Sequence, residues 1–136
     1  MADIARLQPL LGDWSIESPL GPGVTGRMTI EPTLGGAYLL ERSSIPVPEA
    51  PDGLCVIAAN PDGGYTQHYF DSRGVTRLYE MTFDGTTWTL LREKPDFSPL
   101  DFKQRYTGTL TGDRIDGRWE IDHGGGYELD FELSYV

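Results

Sequence analysis

One cysteine, Cys55, and two histidines, His68 and His123, are all that 136 residues contain of either type. A single thiol forms neither an intramolecular disulfide nor a thiolate metal site, which fits a reducing compartment. Cys55 lies in the apolar run Leu54 to Ala59 with no His or Lys beside it, and it reads as a small buried strand residue rather than a reactive thiol. Basic residues are also scarce: 11 Lys and Arg stand against 21 Asp and Glu, for a formal net charge of -10. Such a field repels phosphate backbones, and no Lys/Arg run overcomes it locally, so nucleic acid is not an expected partner. Long apolar runs are missing as well. None approaches the roughly 20 residues that cross a bilayer as a helix, and the first residues carry no apolar leader core, so a cytoplasmic location away from membranes is expected. No GxSxG elbow, HExxH helix or CxxC pair occurs, and the Gly-rich segments read as hairpin turns rather than phosphate-binding loops. With so few ligating side chains, neither a metal site nor a cofactor is expected.

What is present is alternation. Apolar residues make up 38% of the chain and are spread along its whole length, as one domain over residues 1–136 requires. Ile4, Leu7, Leu10 and Leu11 have helical spacing and predict a short N-terminal helix that plugs one end of the fold, stopped by Gly12. Thereafter period-2 runs predict strands over Asp13 to Ser18, Val24 to Glu31, Ala37 to Ser43, Leu54 to Asn60 and Tyr65 to Asp71. Further strands follow over Val75 to Phe83, Thr87 to Glu93, Asp101 to Leu110, Arg114 to Asp122 and Tyr127 to Tyr135. The turns between them are explicit, among them Asn60-Pro61-Asp62-Gly63-Gly64, Asp71-Ser72-Arg73-Gly74, Asp84-Gly85 and His123-Gly124-Gly125-Gly126. Successive hairpins imply an all-β, antiparallel up-and-down meander, and about ten strands close more economically into a barrel than they lie open with exposed edges. The proline-bearing stretches Ile45 to Asp52 and Lys94 to Leu100 are expected to flank the barrel mouth.

The inward face can be written out strand by strand. Ile115, Gly117, Trp119 and Ile121 alternate with charged residues, and Tyr127, Leu129, Phe131, Leu133 and Tyr135 alternate with Glu128, Asp130, Glu132 and Ser134; both apolar sets are expected to point in. Pairing Ile121 with Tyr127 sets Trp119 against Leu129 and Gly117 against Phe131. In the middle of the chain, pairing Phe83 with Thr86 sets Met81 against Trp88, Tyr79 against Leu90 and Arg77 against Arg92. Pairing Phe70 with Val75 then brings His68 beside Arg77. Three cationic groups on one inward face of an acidic protein demand compensation, by a bound anion or by a carboxylate such as Glu41 or Asp101, unless one turn has an odd number of loop residues and the register slips, sending a charge outside.

Gly12-Asp13-Trp14 at the start of the first strand, Leu34-Gly35-Gly36-Ala37-Tyr38-Leu39-Leu40-Glu41 and Pro95-Asp96-Phe97-Ser98 together resemble a family of uncharacterised bacterial lipocalin-like (calycin) barrel proteins. That family is distantly similar in fold to the haem-binding nitrobindins. The resemblance implies a barrel whose base is closed by Trp14, and it supplies no activity. Nitrobindin-like barrels hold haem through a His near the end of the chain, whereas the last strand here has none and His123 precedes it in a loop, so no haem ligand is carried over.

Three functional readings follow. The first is a binding barrel for a small, partly apolar and anionic ligand, oriented by Arg77, Arg92 and His68. Its apolar part would lie against Tyr79, Leu90, Tyr106 and Trp119, with Gln104 on the same wall. The second is an enzyme of the cyclase or isomerase type in which His68 or Glu41 moves a proton. The third is a ligand-free homodimer with Leu39 and Leu78 as surface-facing interface residues.

Overall fold

In a computed structural model, residues 3–18 and 23–136 are described. A 3₁₀ helix (Ile4–Leu10) leads into ten strands. They are β1 (Gly12–Glu17), β2 (Gly26–Thr33), β3 (Tyr38–Ser44), β4 (Gly53–Ala59), β5 (Tyr65–Asp71), β6 (Thr76–Phe83), β7 (Thr87–Arg92), β8 (Lys103–Thr111), β9 (Arg114–Asp122) and β10 (Glu128–Tyr135). Each strand pairs antiparallel with its successor, and β1 pairs with β10, so the sheet closes into a barrel. The expected all-β up-and-down barrel with a short N-terminal helix is therefore the observed fold.

The helix plugs one end. Leu7 and Leu10, one turn apart in a helix of three residues per turn, are both fully buried. Asp3 caps the helix through Oδ1 on the Ala5 amide at 2.8 Å, and the Tyr65 hydroxyl donates to the Asp3 carbonyl, also at 2.8 Å. The Trp14 indole donates to the Leu10 carbonyl at 3.0 Å, tying helix to barrel wall. Above this layer pack Met28, Ile30, Leu39, Ile57, Met81 and Ile115, which fill the plugged half of the interior. At the opposite end lie the segments that join β3 to β4, β5 to β6 and β7 to β8.

Aspartates build several of the turns by accepting from backbone amides. Asp84 Oδ1 takes the Thr86 and Thr87 amides, Asp122 Oδ1 takes those of Gly124 and Gly126, and Asp71 Oδ1 takes those of Arg73 and Val75.

Three registers differ from the sequence expectation. Between β5 and β6 the loop has three residues, Ser72, Arg73 and Gly74, with Asp71 bonded to the Val75 carbonyl and Gly74 in the left-handed region at φ 86°. The pairing is consequently His68 with Leu78 and Tyr69 with Arg77, so the expected neighbours His68 and Arg77 point to opposite sides of the sheet. Between β6 and β7 the ladder is displaced by two residues, Phe83 facing Trp88 and Met81 facing Leu90. An even displacement keeps every side chain on its expected face but separates Arg77 from Arg92. Between β9 and β10 a bulge at Asp130 places Trp119 opposite Phe131 and Gly117 opposite Leu133. Leu129 is thereby turned outward, 53% exposed, instead of meeting Trp119.

Candidate functional site

The unplugged half of the barrel encloses a cavity of ≈ 430 Å³. Ile45, Ala50, Pro51, Arg73 and Phe102 line its mouth, while Glu41, Gln67, Trp88 and Tyr106 reach it from the buried wall. Between the two levels lie Tyr69, Tyr79, Leu90, Gln104, Trp119 and Phe131. The rings interlock: Tyr79 meets Trp119 edge-on at 5.6 Å between centroids, Trp88 meets Tyr106 edge-on at 5.2 Å, and Tyr106 lies tilted against Trp119 at 5.2 Å.

Several polar groups nearer the mouth are partnered. The Tyr79 hydroxyl donates to Gln104 Oε1 at 2.9 Å, and the Tyr69 hydroxyl donates to Asp71 Oδ2, which also takes the Arg73 guanidinium. Arg92 is neutralised by Asp96, with two hydrogen bonds of 2.8 and 3.0 Å and side-chain exposures of 4% and 2%. Neither Glu41 nor Asp101 forms this pair. Asp96 also accepts the Leu78 amide at 3.0 Å, at the end of β6 where the ladder to β7 has stopped. Its carboxylate takes the place of a strand carbonyl. The Arg92 guanidinium holds Asp96 well below the usual carboxylate range, the Leu78 amide adding to this, against burial that would raise it.

Arg77 differs from Arg92. Among the described residues it has no carboxylate within ion-pair distance, and it lies 5.6 Å from the Phe102 ring centroid. With Phe102 it lines both the barrel cavity and a groove of ≈ 400 Å³ outside the mouth, edged by Gly74, Phe97 and Pro99. Asp130, exposed by the β10 bulge, adds a carboxylate to the cavity wall.

The deep level is the reverse of the mouth. Among the described residues, Glu41 Oε1, Gln67 Oε1, Trp88 Nε1 and the Tyr106 hydroxyl are buried without a hydrogen-bond partner. Each such atom in an enclosed site forfeits roughly 1–3 kcal/mol, and all four belong to residues that line the same cavity. Burial raises the Glu41 carboxyl to about 7, a hydrogen bond from Cys55 offsetting part of the effect. Burial, and then the Glu41 charge, push the Cys55 thiol up, so it remains a protonated wall residue beside its register partner Glu41. Burial, again reinforced by Glu41, pushes the Tyr106 phenol up and keeps it a neutral donor. Tyr106 holds its position because β8 and β9 supply Gly108 and Gly117 beneath it. A Cβ at Gly117 would collide with the Tyr106 hydroxyl and ring, and one at Gly108 would lie 2.6 Å from that hydroxyl.

The chain matches no protein-family model and no curated protein sequence.

Of the site residues expected from sequence, Arg77, Tyr79, Leu90, Gln104, Tyr106, Trp119 and Glu41 all line the cavity. Arg92 borders the outer groove, with its charge already satisfied. His68 lies outside it, on the outer face between Val56 and Leu78, because the three-residue loop reverses its side. Leu39, expected on the surface, is 1% exposed in the core, so it cannot serve as an interface residue, whereas Leu78 does lie on the outer face. Gln67, Trp88 and Tyr69 went unrecognised as site residues. The signal for Gln67 and Tyr69 was the β4–β5 hairpin: with Cys55 and Ile57 inward, their register partners Tyr69 and Gln67 must be inward too. His123 is an exposed residue of the β9–β10 loop, its ring 5.7 Å from Phe102.

Proposed function

We propose that this protein is a lipocalin-like binding barrel for a small amphipathic molecule. The observation that carries the reading is the cavity of ≈ 430 Å³ walled by Tyr79, Leu90, Trp119 and Phe131, with Arg77 on its lining and, among the described residues, no carboxylate within ion-pair distance of that arginine. An apolar, aromatic wall with a few polar groups is the usual make-up of a small-molecule site. The ligand body is flat and apolar, to lie against Trp119, Tyr79 and Phe131. An acidic group at one end would meet Arg77 and give the ligand its anionic character.

Native mass spectrometry of the purified protein, followed by denaturation and solvent extraction, tests this directly. A retained amphiphile carrying an acidic group is the expected result. An empty protein whose tryptophan fluorescence is also unmoved by 1-anilinonaphthalene-8-sulfonate would overturn the reading.

A further inference from the structure

The barrel wall is incomplete at one place. The β5–β6 ladder runs as far as Phe70 and Thr76, but the β6–β7 ladder ends at Glu80 and Leu91, so among the described residues the stretch from Thr76 to Tyr79 has no partner strand on its β7 side. The chain leaves β7 after Arg92 and rejoins the sheet only at Lys103. The Asp96 carboxylate bridges part of the gap by accepting the Leu78 amide, and it pins the connecting segment by accepting from Arg92 and from the Ser98 amide. Backbone groups alternate in direction along a strand, so Thr76, two residues before Leu78, turns its N–H toward the same gap. Thr76 lines the outer groove of ≈ 400 Å³ that opens there.

Groove and barrel cavity meet in this gap. Arg77 and Phe102 line both, the guanidinium 5.6 Å from the ring centroid. Burial raises the Tyr79 phenol and the Arg77 charge opposes it, which sets the cation against the cavity wall as well. Of the charges on the groove, Arg92 is matched by Asp96, whereas Arg77 and the exposed Asp101 have no ion-pair partner among the described residues. Phe97, 65% exposed, and Pro99 complete the apolar part of the groove lining.

We infer that this gap is a head-group subsite: the ligand body stays in the barrel, while its acidic end passes between β6 and the β7–β8 connection and is held in the outer groove by the Arg77 guanidinium and the Thr76 amide. The inference rests on the binding reading above and adds the chemical class. An acid fixed directly on the flat body stops on the cavity side of Arg77, whereas a carboxylate on a short chain reaches the groove. The ligand is therefore of the kind formed when an aryl or acyl group is joined to the nitrogen of an amino acid. Its head carries a single negative charge, because a second would meet Asp101 in the same groove, on a chain of net charge -10. Apolar substituents on the head are accepted, since Phe97, Pro99 and Phe102 offer them a surface.

Dansyl derivatives test this, because one flat fluorescent body can carry different heads and brightens in apolar surroundings. Dansylglycine should bind about tenfold more tightly than dansylamide, which lacks the acid. Dansylglutamate, with a second carboxylate, should bind several-fold more weakly than dansylglycine at low ionic strength, and Asp101→Asn should narrow that difference by strengthening dansylglutamate. Pro99→Trp, which places an indole in the groove, should weaken dansylglycine by about tenfold. Both positions are exposed, and circular dichroism with melting separates a blocked groove from a lost fold. The dye 1-anilinonaphthalene-8-sulfonate, whose acid is fixed on its ring, reads the barrel cavity independently. If that dye brightens with wild-type protein, the subsite is overturned, and the binding reading stands, by any of three results: dansylglycine bound no better than dansylamide, Pro99→Trp binding dansylglycine as wild type does, or Asp101→Asn leaving dansylglutamate unchanged. If neither that dye nor dansylglycine brightens with wild-type protein, both fall.

Discussion

Replacing Glu41 with Gln should make the protein more stable at neutral pH, by an amount that depends on pH in a calculable way. The carboxyl is raised from 4.5 to about 7 by burial. At about 1.4 kcal/mol for each tenfold change in proton affinity, ionising it inside the folded barrel costs about 3 kcal/mol relative to the unfolded chain. Below pH 4.5 the group is protonated in both states and contributes nothing. Between 4.5 and 7 the unfolded chain releases the proton while the folded chain keeps it, so stability falls as pH rises; above 7 the full penalty is present. Gln is neutral and nearly the same shape, so it removes the titration and little else. Other carboxylates titrate the opposite way: Asp96, Asp116 and Glu120 are lowered and lose stability toward acid. The useful quantity is consequently the difference between E41Q and wild type, measured by urea unfolding with tryptophan fluorescence at a series of pH values. That difference should climb by about 3 kcal/mol from pH 4.5 to neutrality and then level off. A flat difference would refute the reasoning, because it would mean that Glu41 retains ordinary acidity and that the floor is not enclosed.

Asp96→Asn leaves the Arg92 guanidinium buried without its counter-charge and should cost about 3–5 kcal/mol in urea unfolding. Gly117→Ala drives a methyl into the Tyr106 ring and should cost about 1–3 kcal/mol, with a change in near-ultraviolet circular dichroism as the ring shifts. Arg77→Leu should weaken binding of an anionic fluorophore such as 1-anilinonaphthalene-8-sulfonate several-fold while leaving the unfolding midpoint in place; a sharp loss of stability instead would make the arginine structural. His68→Gln, on the outer face, should change stability by no more than about 0.5 kcal/mol and leave ligand binding intact.

The strands were legible because apolar alternation and aspartate-glycine turns are local signals, and a chain that repeats them ten times has few ways to fold other than a barrel. Registers were less legible, since each depends on how many residues a turn consumes. Asp71-Ser72-Arg73-Gly74 reads equally well as a two-residue or a three-residue connection, and β5 offers no arbitration of its own, with aromatic or polar residues on both faces from Tyr65 to Phe70. One residue of difference decided whether His68 or its neighbours Gln67 and Tyr69 faced the cavity. The β10 bulge was invisible because Leu129 continues the apolar alternation through it. Glu41 was recognisable as an acid on an apolar face. Its isolation from any basic partner was not, since that depended on Asp96 folding back from a proline-flanked loop to take Arg92.

The seam between β1 and β10 joins residues from nearly opposite ends of the sequence, Ile16 beside Tyr135 and Glu17 beside Ser134. Every other neighbouring pair of strands is a hairpin that can zip as soon as it is made. The last closure must instead wait until β10 exists. Throughout synthesis the growing sheet therefore carries two bare edges, free to recruit a strand from another molecule. Folding speed is then governed by one distant encounter rather than by the nine local ones, and the ribosome-bound intermediate, not the finished barrel, is the form most exposed to aggregation.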